Sequence, residues 1–342
     1  IQSINPPAGE AGQSSNLIDV TTMDTTSHDF TWQSWTFGGQ AGSCTLYDVA
    51  IIDENNIWAV GEIYLLDTLG QPDPLPYNAV HWDGNQWQLK RIQTIFRGNL
   101  ITVPLEGIFA FTATDIWAVG SLPIQGDGEN WVMYDVRSIV DPNLSLSKAW
   151  GSSTNDMYFA GRSGSIAHYL NGQWSKIESG TDANVNDLWG VTKESKDQIK
   201  LFCAVPSGYD PSKRRILTIN ETNSIDSIHW NGKVVTSIWT NNGKFLYTSG
   251  DGIYNNKAGN WTGEISIPFY YTNRIRGNYL NDIFVCGNYG FLAHFNGMNW
   301  KVYDEFLQMN TSVFRSIALN NNIVAAVGFN GESALIIIGI SN

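Results

Sequence analysis

The sequence predicts an all-β chain assembled from repeated four-stranded units. Three observations predict it. A short phrase recurs at roughly 40–60-residue intervals, which marks repeated supersecondary units. Its clearest copies are Asn56-Ile57-Trp58-Ala59-Val60-Gly61, Asp115-Ile116-Trp117-Ala118-Val119-Gly120, Asp156-Met157-Tyr158-Phe159-Ala160-Gly161 and Asp282-Ile283-Phe284-Val285-Cys286-Gly287. The phrase is followed by a second recurring pattern, an apolar run that ends in His, an aromatic residue and a Gly turn, as in Val80-His81-Trp82-Asp83-Gly84, Ala167-His168-Tyr169-Leu170-Asn171-Gly172 and Ala293-His294-Phe295-Asn296-Gly297. Finally, no stretch sustains helical periodicity.

Each element follows from local composition. The phrase is β-branched and aromatic and closes on Gly, so it reads as a strand. Ahead of it lies another apolar run, such as Tyr47–Ile52, separated by Asp, Asn, Ser or Thr residues suited to a hairpin turn. The His-bearing run is a third strand. A fourth begins at Trp87, Trp174 and Trp300. Four strands in meander order make one blade of a propeller. Blades are expected to start near Leu46, Leu105, Leu146, Val185, Val234, Thr272 and Val313, which gives a seven-bladed β-propeller of four-stranded antiparallel blades. Weaker copies of the phrase, at Lys244–Gly250 and Asn322–Gly328, fall in blades 5 and 7. Blade 4 diverges most, and its second strand is expected at Ile199–Val205.

Blade 7 runs out of chain after three strands. Phe30–Phe37 resembles the missing fourth, so Thr31–Phe37 is expected to pair with Ala334–Ile340 and close the ring. Closure removes two raw sheet edges. Residues 28–342 are therefore assigned to the propeller. Residues 1–27 are assigned to a linker, Pro6–Gly12, and to one residual strand, Asn16–Asp24, like the last strand of a fibronectin- or immunoglobulin-like domain. The chain begins at Ile1 and is read as a mature or trimmed fragment.

Composition excludes some functions. The net charge of −12 disfavours nonspecific nucleic-acid or anionic-membrane binding. No run approaches the 18 or so apolar residues of a membrane-spanning helix. The three Cys, at 44, 203 and 286, are expected to be free thiols and not a disulfide framework.

Motifs with chemistry are sparse. A His that recurs once per blade is read as a structural device, while His28 shows no obvious partner. Trp82-Asp83-Gly84 occurs once and is read as a hairpin turn. Gly126-Asp127-Gly128-Glu129-Asn130 is read as an acidic turn over a Ca²⁺ loop. No Cys-x-x-Cys, His-x-x-x-His or Gly-x-Ser-x-Gly occurs, so no metal, cofactor or nucleophile is expected.

The loops are uneven. Long connections between second and third strands are expected in blade 1 (between Gly61 and Asn78), blade 2 (Ser121–Asn130) and blade 4 (Pro206–Lys213). Long loops on a rigid scaffold are where binding sites usually lie. Counting back from each phrase to the channel mouth on that face gives Asp48, Glu106, Lys148, Asp187, Arg274 and Arg315, and Arg276 joins them as a candidate ligand-binding residue. The aromatics beside them are Trp150, Trp189 and Trp239, with Tyr47 and Phe109. Polar groups with aromatics at a mouth suit a sugar or a peptide. At least half of the aromatics are expected to pack between blades.

The repeated phrase, followed by His-aromatic-x-Gly-x-x-Trp, resembles a group of uncharacterised secreted bacterial propeller proteins over roughly 28–342. More distant likenesses are the sialidase-like propellers and the photosystem II assembly factors. The resemblance implies the fold and a secreted, periplasmic or cell-surface location, and it carries over no catalytic residue. The expected function is a noncatalytic binding module for a glycan, peptide or partner protein, acting through the loop-bearing face. One alternative is a glycosidase or lyase, with Asp48 and Glu106 as acid and base and Arg274, Arg276 and Arg315 as an anion site. Another is a self-assembling structural protein.

Overall fold

The structure, a computed structural model, describes residues 23–192, 199–230, 232–257 and 259–342. Seven four-stranded antiparallel sheets make up the ring. Strands are called A to D from the channel outward. Blade 1 is Thr45–Asp53, Asn56–Ile63, Tyr77–Trp82 and Trp87–Lys90. Blade 3 is Leu146–Ser153, Asp156–Gly161, Ile166–Leu170 and Gln173–Lys176. The A strands of blades 2, 4, 5 and 6 are Gly107–Thr112, Asp187–Thr192, Val235–Trp239 and Thr272–Tyr279. The blade 4 B strand spans Ile199–Val205, as expected.

Blade 7 closes as the sequence predicts. Its A, B and C strands are Ser312–Asn320, Ile323–Asn330 and Ser333–Ser341. Its D strand is Phe30–Phe37, with Thr31 opposite Ile340 and Phe37 opposite Ala334. Residues 23–29 lie against blade 6, where Thr26 donates to the carbonyls of Asn296 and Asn281. The expected strand at Asn16–Asp24 falls almost wholly outside the described residues, as does the linker Pro6–Gly12.

The phrase builds a repeated joint inside each blade. His81, His168 and His294 stand directly opposite Trp58, Tyr158 and Phe284 in the ladder. Each imidazole stacks on that ring at 4.0–4.2 Å. Each also bonds the Asn or Asp two residues before the ring: Asn56 at 3.0 Å, Asp156 at 2.7 Å and Asp282 at 3.0 Å. In blade 2 Gln125 takes the place of His, opposite Trp117 and 3.3 Å from Asp115. The polar residue that opens the phrase thus anchors the third strand. His28 does have partners: His294 at 2.9 Å and Asn299 at 2.8 Å.

The closing Gly has its own cause. A Cβ on Gly61, Gly161 or Gly328 would overlap the carbonyl of Thr45, Ser145 or Val313, where the A strand begins. Only glycine lets the two backbones come that close.

The structure corrects the loop assignments. Ser121–Asn130 is not a long loop: Leu122–Gly126 is the blade 2 C strand, joined to the B strand by Ser121 alone. Pro123 within it masked the strand pattern. The long B–C connections expected in blades 1 and 4 are present, between Ile63 and Tyr77 and between Val205 and Arg215, and further elaborations lie between blades. A hairpin, Gln93–Phe96 with Asn99–Thr102, precedes blade 2, and short helical turns at Val136–Ile139 and Asp304–Leu307 precede blades 3 and 7. Cys44, Cys203 and Cys286 are buried free thiols. No helix among the described residues is long and apolar enough to cross a membrane.

Candidate functional site

The A strands line the channel, and each carries one extra residue near its start. Tyr47, Ser147, Thr236, Asn273 and Arg315 fall at register shifts between paired positions. Glu106 and Asn186 sit in the same place, where their N–H groups reach Val119 and Ala204, the partners of the residues that follow. A bulge re-aims the side chain it inserts. Here all seven line one recess of about 320 Å³ on the face that carries the B–C and D–A connections, called the loop face.

The strand pairing corrects the register counted from sequence. Glu106 and Arg315 do not share a level with Asp48, Lys148, Asp187 and Arg274. They lie one residue nearer the loop face, and the positions level with Asp48 in blades 2, 5 and 7 are Gly107, Ser237 and Ser316. The inserted residue is common to the blades and is not the cause. Gly107, not Glu106, has the spacing to its closing Gly that Asp48 has, and blade 7 lacks the second register shift near the A–B turn that blades 1, 2, 3 and 6 carry.

Behind the recess the channel is plugged by an ionic cluster. Lys148 Nζ lies 3.1 Å from Asp48 Oδ2, and Lys148 also donates to the Glu106 carbonyl. Arg274 pairs with Asp187 and stands 3.6 Å from Asp48. Arg276 meets Asp187 at 2.7 and 2.9 Å and stacks on Trp189, with 4.6 Å from guanidinium carbon to ring centre. Ser316 and Ser237 donate to Asp48 and Asp187, each at 2.5 Å. Burial alone would raise both carboxyl pKa values. Lys148 and Arg274 hold Asp48 below its ordinary value, and Arg274 and Arg276 hold Asp187 down at about 2. Burial lowers the Lys148 pKa.

The other candidates divide. Glu106 is bonded by Arg162 at 2.7 Å. Arg315 lies over the Phe329 ring at 5.5 Å. Trp189 donates to the Thr240 carbonyl at 2.8 Å and walls the channel. Trp150 and Trp239 are buried between blades, over Gly190 and Gly277, and neither lines a channel recess. The carboxylates named as acid and base, Asp48 and Glu106, are both ion-paired.

Sequence reasoning missed the loop-face aromatics. Tyr209 is fully exposed in the blade 4 B–C loop, and Tyr289 is exposed in that of blade 6. Phe269 and Tyr271 are exposed in the connection from blade 5 to blade 6. Tyr271 also lines the recess. They stand in irregular segments outside the phrase, so repeat counting passes over them. The Gly126–Asn130 turn is structural: Asp127 accepts the N–H groups of Glu129 and Asn130. Among the described residues no cluster of His, Cys, Asp and Glu could hold a metal ion.

No family model matches the chain, and no curated protein matches it by sequence. Solved propellers match it in fold. A structure of YCF48 bound to D1 peptide superposes with a TM-score of 0.65 at 14% identity, covering 95% of this chain and 100% of that one. YCF48 from Cyanidioschyzon merolae gives 0.64 at 12%, covering 91% and 98%. The WD40 propeller domain of Doa1 gives 0.62 at 12%, covering 92% and 98%. At such identities the likeness shows the seven-bladed fold alone.

Proposed function

We propose that this propeller is a noncatalytic docking module whose loop face takes an extended peptide segment of a partner protein. One observation carries the reading: Tyr209, Phe269, Tyr271 and Tyr289 stand exposed in loop-face connections of blades 4 to 6, and Tyr271 lines a cationic mouth. Exposed aromatics beside a recess are the usual anchors of a binding surface. Of the cations lining the mouth, Lys148 and Arg274 are paired with Asp48 and Asp187 in the plug, and Arg315 has no carboxylate partner among the described residues; Arg162 engages Glu106. In a chain of net charge −12 that local excess favours acidic side chains or a chain end in the ligand. The peptide-bound propeller of like fold supports a peptide over a sugar.

The paired carboxylates weigh against the glycosidase reading. A general acid needs a raised pKa, and Asp48 is held ionised. A location outside the cytoplasm belongs to the same proposal and rests on the repeat resemblance. The test is an array of acidic peptides, neutral peptides and glycans probed with the intact chain. Binding to acidic peptides supports the reading. Binding to glycans alone overturns it.

A further inference from the structure

The opposite mouth of the channel has a different character. A second recess, of about 160 Å³, opens on the face of the A–B turns and shares its floor with the first. Its charged lining is Asp48, Asp187, Lys148, Arg274 and Arg276, three cations against two carboxylates. Arg274 is only 3% exposed, yet its Nε has no acceptor among the described residues. Two of the three Lys148 ammonium protons are used, on Asp48 and the Glu106 carbonyl. The floor therefore holds one uncompensated positive charge and spare donors.

The wall is apolar, and its openness has a sequence cause. Two residues beyond the ionic level, blades 3, 4 and 5 carry Trp150, Trp189 and Trp239. Blades 1 and 7 carry Ala50 and Ala318, both of which line the recess together with Phe109 and Trp189. Trp150 and Trp239 pack away between blades, and the small Ala50 and Ala318 leave space beside Phe109 and Trp189.

We propose that the turn-face recess binds a small monocarboxylate with an apolar body, its carboxylate on Arg274 and Lys148 and its body between Ala50, Ala318, Phe109 and Trp189. A buried excess charge favours an anion. An apolar sleeve offers nothing to the extra oxygens of sulfate or phosphate, which leaves those anions desolvated and unpaired. A water's share of liquid is about 30 Å³, so the space suits a body on the order of five non-hydrogen atoms. This site lies at the other end of the channel from the peptide face, and its test is independent of that reading.

The test is calorimetric titration of the whole chain with phenylacetate and hexanoate, with phenylacetamide, acetate and chloride as controls. The expected result is one saturable site for the two acids, about tenfold or more tighter than for any control. Ala318→Phe and, separately, Ala50→Phe fill the recess without touching a charge. Each is expected to weaken binding about tenfold or more, with a thermal melt showing that the variant is folded. The proposal is overturned if the amide binds as well as the acid. It is equally overturned if chloride or acetate competes on equal terms, if neither acid saturates by about 10 mM, or if a folded Phe variant binds like the parent.

Discussion

Lys148 Nζ lies 3.1 Å from Asp48 Oδ2, although the two residues belong to blades 3 and 1. The contact spans the channel and ties together strands that share no ladder. Lys148→Met leaves Asp48 with Ser316, the Val49 and Ile108 N–H groups, and Arg274 at 3.6 Å. Removing one partner of a buried pair takes away the nearest attraction that offsets desolvation of the other charge. The expected loss is about 3 kcal/mol, the lower end of the usual range because both side chains keep a little solvent contact. Urea unfolding of parent and variant measures it.

Acid should loosen the same plug. Asp187 has an ordinary pKa of 3.8 and is held at about 2 in the fold. A depressed carboxyl pKa contributes stability that is present above the unfolded value and lost as pH falls through the folded one. Melting temperature is therefore expected to fall between about pH 4 and pH 2, with Asp187 contributing on the order of 2 kcal/mol. In Asp187→Asn the melt starts lower at neutral pH and falls less steeply over that interval.

The His joints predict a graded substitution series. His168 is buried, and its Nε2 meets Asp156 at 2.7 Å. Blade 2 makes the same joint with Gln125. His168→Gln is expected to cost under about 1 kcal/mol. His168→Leu, which removes the donor, is expected to cost about 1–3 kcal/mol. Thermal denaturation of the two variants separates them.

The closing glycines predict a contrast of position. At Gly161 an added Cβ overlaps the Ser145 carbonyl, whereas nothing lies within 4 Å of one at Gly208. Gly161→Ala is expected to destabilise by about 1–3 kcal/mol, as overpacking does. Gly208→Ala should be near neutral. Equal effects would sever the link between the phrase and the bulged inner strand.

Much of this fold was legible because the repeat is built by short-range chemistry. Asn56, Trp58 and His81 meet within one blade, so their spacing survives in sequence. Ring closure was legible for the same reason: Phe30–Phe37 carries the pattern of a D strand. Reading failed where an element departs from the repeat. Glu106 stands one residue outside the spacing that Asp48 keeps to its phrase, Arg315 is offset because blade 7 lacks the second register shift of blades 1, 2, 3 and 6, Pro123 hid a strand, and the Gln93–Thr102 hairpin lies between blades. The ionic cluster was named nearly whole, with pairing across the channel as one reading, but which cation meets which carboxylate was not. Asp48, Lys148, Asp187 and Arg274 meet only through the geometry of the closed ring. The exposed aromatics were missed because a single Tyr in an irregular loop has no period.

The loop-face reading is tested most directly by the affinity of one array-selected acidic peptide for four proteins. These are the parent, Tyr271→Ala, Arg315→Glu and the turn-face control Tyr279→Ala, whose side chain is also exposed. The account predicts that the two loop-face variants bind about tenfold or more weakly and that Tyr279→Ala binds like the parent. Parental affinity in both loop-face variants, or an equal loss in the control, would contradict it.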